Sequence, residues 1–479
     1  MTFRIERFRL HVLPMRTRFP FRYGIACMTA VPHVFVNVDL VVDGRPVTGL
    51  SSEGLPPKWF TKQPDTPLEL ELAEMIAVLQ NATRIARLAA ERDTGFFRWW
   101  SDVYAEQSSW ASVRQCPPLL ANLGVSMVER AVLDGLCKAA QQPLHALLHQ
   151  HTLGIDLGEV RAELRGVEVA DVIEKQPLER LHARHTIGLA DPLSAETLPE
   201  AERVNDGLPQ SLDECIRAYG LTYFKIKVCG QPEVDLPRLR EIATVLTREC
   251  REGFRATLDG NEQFHDFDAF SDFYATLRAD AALRPLFENL ILIEQPLHRS
   301  VALSDAAGAL RGWKDGPGMI IDESDGSLAD LPRALELGYR GTSHKNCKGI
   351  VKGLANAALF KTRPDSLLSG EDLVNQGPVA LLQDLAVTAL LGIRHVERNG
   401  HHYFRGLSMH PPHVQEAVLQ THGDLYTRHA AGFPALRIEN GTISLATVNA
   451  APFGCGLTLS MDDFEPLNDW IKRGGLSSL

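Results

Sequence analysis

The stretch YFKIKVCG, residues 223–230, sets two lysines two places apart in a run that is otherwise apolar and β-rich. Side chains alternate across a strand, so Lys225 and Lys227 share one face. Two ammonium groups on one face of a buried strand cost energy unless negative groups receive them. Suitable groups follow at regular intervals. Asp259 closes FRATLD, Glu294 closes LILIE, Asp322 closes MIID and Lys345 closes YRGTSHK. From Lys227 onward the gaps are 32, 35, 28 and 23 residues, each about one strand–helix unit.

From about residue 183 to residue 400, eight short β-rich runs alternate with helical stretches. By length and rhythm this is an α/β fold, either a parallel β/α barrel or a doubly wound open sheet; periodicity alone leaves both open. In a barrel, polar residues at strand ends converge at the C-terminal mouth. A single aspartate at a strand end is most often a turn or helix cap. Three carboxylates in successive units, bracketed by lysine strands, are better explained by a shared cation. Asp259, Glu294 and Asp322 offer hard oxygen ligands with no cysteine or histidine among them. That suits Mg²⁺, with Mn²⁺ as a substitute. A metal beside a substrate carboxylate stabilises the dianion formed when an α-proton leaves. Lys227 and Lys345, on different strands, are candidates to face the two sides of that carbon. Lys225 and the metal would lower the proton affinity of Lys227.

Composition bounds the function. The chain has 479 residues, 44% of them hydrophobic and 23% charged, with a net charge of −11. A negative surface argues against nucleic-acid or anionic-membrane partners. No apolar run reaches membrane-span length, and the charged opening has no signal-peptide core. Eight cysteines without a C-x-x-C pair read as reduced thiols, and a cytoplasmic location is expected. His401, His402, His410 and His413 are crowded, but no nearby carboxylate or cysteine completes a zinc set.

Residues 1–45 read as strands, with an Asp-Gly turn signal at 43–44, and residues 69–150 as mainly helical. The stretch Arg16–Tyr23 and the loop Ser51–Phe60 are expected over the barrel mouth. There an arginine would meet a distal anionic group, and Tyr23, Trp59 or Phe60 would exclude water.

Taken together, KIK (225–227), LDGNEQF (258–264), IEQPL (293–297), IDES (321–324) and HKNCKG (344–349) resemble the enolase superfamily. Within it they are most similar to the mandelate racemase/muconate lactonizing enzyme family, in its muconate-lactonizing and dipeptide-epimerase-like branch. The SSEG loop (51–54), the helix at 121–150 and the closing APFGCGL (451–457) resemble the flanks of that family. The resemblance implies a modified (β/α)7β TIM barrel with an α+β capping domain. The corresponding division is 1–150 as cap, 151–182 as a connecting insertion, 183–400 as barrel and 401–479 as a segment returning to the cap.

The resemblance also implies Lys227 and Lys345 as acid/base residues, Lys225 as the group that orients Lys227, and Asp259, Glu294 and Asp322 as metal ligands. Asn261, Lys348, Asp372, Tyr23 and Trp59 are expected around the ligands or the substrate. In GEDLVNQG (370–377), Asp372 is assigned the acidic strand-end role. ERNGHHYFRG (397–406) lacks the paired aspartates that bind a dipeptide ammonium. The expected activity is a metal-dependent racemase or epimerase acting on a small carboxylate. A cycloisomerase or syn-dehydratase and a non-catalytic barrel are the alternatives, and a homo-oligomer is compatible with all of them.

Overall fold

The computed structural model describes residues 1–478. Three antiparallel strands open the chain: β1 (Phe3–Tyr23), β2 (Ala26–Val42) and β3 (Arg45–Gly54). The β2–β3 turn is the Asp-Gly pair expected from sequence. Asp43 and Gly44 have φ of 45° and 81°, the two left-handed residues that a tight hairpin requires. Near the other end of the chain, Glu465–Pro466 pairs with His11 and Val12 on the free edge of β1.

Three helices cover one face of this sheet: α1 (Leu68–Ala89), α2 (Phe96–Val113) and α3 (Pro118–Ala140). The β3 and α3 backbones approach closely at Gly49, where an added Cβ would stand 1.9 Å from the Ala131 carbonyl oxygen. A larger residue there would separate β3 from α3. Helical spacing predicts one apolar face for α3, yet Leu119 through Cys137 are buried on all sides. The helix is sandwiched between the cap sheet and the barrel, and its polar residues work as connectors. Arg130 donates to Glu53 at 2.6 Å. Glu129 accepts the Ile350 and Val351 amides, each at 2.8 Å, and so caps the barrel helix Ile350–Phe360.

The barrel contains eight parallel strands: β4 (Arg180–Ile187), β5 (Tyr223–Lys227), β6 (Arg255–Asp259), β7 (Leu290–Glu294), β8 (Met319–Ile321), β9 (Gly341–His344), β10 (Leu367–Gly370) and β11 (His395–Arg398). Each pairs with the next, and β11 pairs back onto β4 from His395↔His182 to Arg398↔His185. That closure excludes the open sheet. The first strand begins at Arg180, three residues before the expected start. Thr442–Ser444 adds antiparallel to the N-terminal end of β4. Among the described residues no helix is long and apolar enough to cross a membrane.

Candidate active site at the barrel mouth

Strand register builds the site. Lys227 pairs with Asp259, and Asp259 with Glu294, so three adjacent strands end in a row of charge. Asp322 and Lys345 follow the last residues of β8 and β9. Lys225 is 1% exposed and has four carboxylate partners: Glu294 at 2.7 Å, and Asp259, Glu371 and Glu397 each at 3.0 Å. Burial alone would pull its proton affinity down. The four carboxylates outweigh burial and raise it well above that of an ordinary lysine. Lys225 is therefore a fixed cation, which answers what stands opposite the lysine strand.

Lys227 is buried and makes its ion pair with Asp259. Lys345 donates to Asp322 at 2.6 Å and Glu371 at 2.8 Å, under the Trp59 ring at 4.9 Å. Burial opposes its charge, but Asp322 and Glu371 prevail and hold it protonated. Second and sixth in an eight-strand ring, β5 and β9 place these two lysines on opposite walls. Lys348 clamps Asp322, bonding its carboxylate at 2.9 Å and its carbonyl at 2.8 Å, along with Ser343. Gln295, in the left-handed region at φ 35°, accepts the Asp322 amide at 2.7 Å and joins the ends of β7 and β8.

Oxygen atoms of Glu294, Asp322 and Glu371 lie within 4.8 Å of one another, a set able to hold a metal ion. Asp259 is turned instead towards the two lysines of β5. Glu294 Oε2 is buried without a hydrogen-bond partner. Burial, with Asp259 and Glu371 beside it, raises the Glu294 pKa well above the usual range. An all-oxygen, electron-rich set with an unsatisfied oxygen fits a hard divalent cation. Asp259, Glu294, Asp322, Glu371 and Glu397 are the buried acidic groups here; Lys225, Lys227, Lys345, Lys348 and Arg184 are the buried basic ones.

Sequence reading missed Glu371, Glu397 and Arg184. Ser369 and Glu371 share the inward side of the β10 end, where Arg184 donates to both at 2.8 and 2.9 Å. At the end of β10 it is therefore Glu371, and not Asp372, that pairs with Lys225 and Lys345. Asp372 lies one residue further, so it turns aside against Arg398 on the cavity wall, and burial pushes its pKa up to about 7. Glu397 is the penultimate residue of β11, one place before Arg398, and attention to acidic residues near strand ends would have found it too.

A cavity of about 30 Å³ lies between these groups. Lys227, Lys345, Asn261, Asp322, Asp372 and Glu397 line it from the barrel, and Phe21, Tyr23, Pro56 and Trp59 from the cap. Tyr23 is tied to the Pro57 carbonyl at 2.8 Å. Arg299 holds the loop down through the Trp59 and Phe60 carbonyls at 2.9 and 2.8 Å, with its charge met by Glu262. No arginine of residues 16–22 lines the cavity. Arg18 is spent on Asp206 and on the carbonyls of Leu208, Pro209 and His402. Of the expected covering groups, Tyr23 and Trp59 line the cavity, whereas Phe60 and the arginines do not.

The histidines expected as one group separate. His402 joins His185 and Cys215 in a second buried set that could hold a metal, and His401 meets His185 beside it. His410 bonds the Gly377 carbonyl, and His413 pairs with Asp463 at the surface.

No family profile and no curated protein matches this chain. Solved structures do match, and they are consistently enolase-superfamily members. A mandelate racemase/muconate lactonizing protein from Herpetosiphon aurantiacus is 18% identical, with 93% of this chain and 97% of that one covered at a TM-score of 0.60. An enolase from Bradyrhizobium, complexed with magnesium and mandelic acid, is 14% identical over 97% and 99% of the chains, also at 0.60. A dipeptide epimerase from Enterococcus faecalis, complexed with Mg and L-Leu-L-Tyr, is 14% identical over 92% and 99%, at 0.58. At these identities the likeness establishes a shared fold: the closed barrel with its cap.

Proposed function

We propose that the chain is a divalent-metal-dependent racemase or epimerase that removes and returns the α-proton of a small carboxylate. The observation that carries this reading is the pair of buried lysines, Lys227 and Lys345, on opposite walls of one cavity. Inversion at carbon needs a base on one face and an acid on the other. With Lys227 as base, Lys345 is already held as the ammonium acid; in the reverse direction the roles exchange.

Glu294 and Asp322, joined by Glu371 or Asp259, would hold Mg²⁺ or Mn²⁺. Such an ion would offset the negative charge that gathers on the substrate carboxylate as the proton leaves. Its positive charge, added among these ammonium groups, also favours a neutral lysine, the form a base requires. Lys225 keeps the carboxylates together, and Lys348 fixes Asp322. A water needs roughly 10–15 Å³ of such space, so the cavity has room for about two waters and substrate entry would require displacement of the Tyr23–Trp59 side. Closure afterwards excludes water.

The test is incubation with a panel of α-substituted carboxylates in D₂O, followed by NMR, chiral separation and mass spectrometry. A racemase yields the inverted isomer carrying deuterium. Lys345→Ala should lose turnover by ~10²–10⁴-fold, while still exchanging the proton of one enantiomer. An unsaturated or cyclised product without inversion would replace this reading with a dehydratase or cycloisomerase. Full activity in Lys227→Ala would end it.

A further inference from the structure

We propose that His185, Cys215 and His402 form a second metal site, selective for zinc-class ions and separate from the oxygen cluster at the barrel mouth. The three residues come from distant parts of the chain: β4, the helix Leu212–Tyr219 and the short helix Gly400–Tyr403 that follows β11. Alternation along β4 explains the direction of His185. Its neighbours Arg184 and Thr186 point into the barrel, where they bond Glu371 and Glu397. His185 therefore points outward, into the layer beneath the surrounding helices.

The donor geometry is that of a metal site. His185, Cys215 and His402 are 1%, 0% and 2% exposed, and one ligand atom from each lies within 4.8 Å of the others. Cys215 Sγ and His402 Nδ1 are 3.5 Å apart. Zinc bonds of ~2.3 Å to sulfur and ~2.0 Å to nitrogen, at a tetrahedral angle, span about 3.5 Å between those donors. The far nitrogen of His185 has an orienting hydrogen-bond partner, as in metal-ligating histidines. His185 Nδ1 meets His401 Nε2 at 3.0 Å. His402 Nε2 faces Asp191 Oδ2 at 3.8 Å, and that carboxylate is fixed by the Tyr403 hydroxyl at 2.5 Å and the Gly188 amide at 2.7 Å. His401 Nδ1 is buried with no partner. Three protein donors leave a fourth tetrahedral position.

Ligand softness keeps the two sites apart. Thiolate and imidazole favour zinc, whereas the carboxylate set favours magnesium. Binding releases the Cys215 thiol proton to solvent as the metal–sulfur bond forms. The site would fasten the segment after β11 and the first barrel helix to β4, across the seam where the barrel closes.

The experiment uses full-length protein stripped with chelator and titrated with Co²⁺ under excess Mg²⁺, which occupies the oxygen cluster. Wild type should bind one Co²⁺ per chain with a near-ultraviolet thiolate-to-cobalt band and the visible bands of a tetrahedral ion. Zn²⁺ should bleach both. Glu294→Gln should retain the signal, and Cys215→Ser should lose the thiolate band. Asp191→Asn should weaken binding by ~10- to 100-fold. Folded wild type that takes up no Co²⁺ with a thiolate band overturns the proposal, as does an equal band in Cys215→Ser.

Discussion

Replacing Lys225 with Met tests whether the lysine strand is there to gather carboxylates. The ammonium lies 2.7–3.0 Å from four carboxylates on or just after four strands, all buried. Met retains most of the stem volume and removes only the charge. Breaking a buried ionic cluster by deleting one partner costs about 3–5 kcal/mol, because the remaining charges stay desolvated and face one another. An unfolding entropy of ~2.1 cal/mol/K per residue amounts to about 1 kcal/mol/K for a chain of this length. The melting temperature should therefore fall by ~3–5 °C when all divalent ions are chelated. On the proposed metal assignment, millimolar Mg²⁺ would neutralise the same carboxylates, so it should stabilise the variant more than wild type and narrow the gap. Thermal melts of both proteins, in EDTA and in Mg²⁺, give the four values needed. A variant as stable as wild type in EDTA would refute the view that Lys225 balances this cluster. An equal loss with and without Mg²⁺ would refute the view that metal and ammonium share those oxygens.

Three further outcomes are expected. Trp59→Ala removes the ring 4.9 Å above the Lys345 ammonium; a buried contact of this kind is worth ~1–2 kcal/mol, so kcat/KM should fall by ~5- to 30-fold, and unchanged kinetics and substrate preference would exclude a lid role. Arg299→Lys keeps the charge beside Glu262 but loses the two carbonyl bonds to Trp59 and Phe60, so proteolysis within residues 55–66 should accelerate, and an unchanged cleavage rate argues against Arg299 as the latch. Buried His33 accepts the Gln376 amide through Nε2, and burial, reinforced by His410, lowers its pKa to about 3. The unfolded chain therefore takes up a proton near pH 6.5 that the folded chain refuses. Relative to His33→Gln, wild type should lose ~1.4 kcal/mol per pH unit from 6.5 down towards 3. Urea melts at pH 7, 6 and 5 measure this difference, and a constant value would show that His33 is not held neutral.

The row of charge was legible because two simple periods produce it. Alternation in YFKIKVCG puts Lys225 and Lys227 on one face, and one strand–helix unit separates each later strand end from the last. Those local rules suffice for Lys227, Asp259, Glu294, Asp322 and Lys345, and the Asp43–Gly44 turn is equally local. Local rules could not show that the sheet closes, since that rests on β11 pairing with β4 across more than two hundred residues. Closure then decides the rest. It brings Arg184 to Glu371 and selects Glu371 over Asp372, a difference of one residue at the end of a four-residue strand. It also carries His402 to Cys215 and His185, a grouping that sequence spacing hid. The same holds for α3. Its helical period is local, but burial on every side, with Glu129 and Arg130 as internal connectors, follows from the two layers that enclose it. Chain-local geometry sets which side chains point inward, whereas long-range strand pairing sets which of them meet.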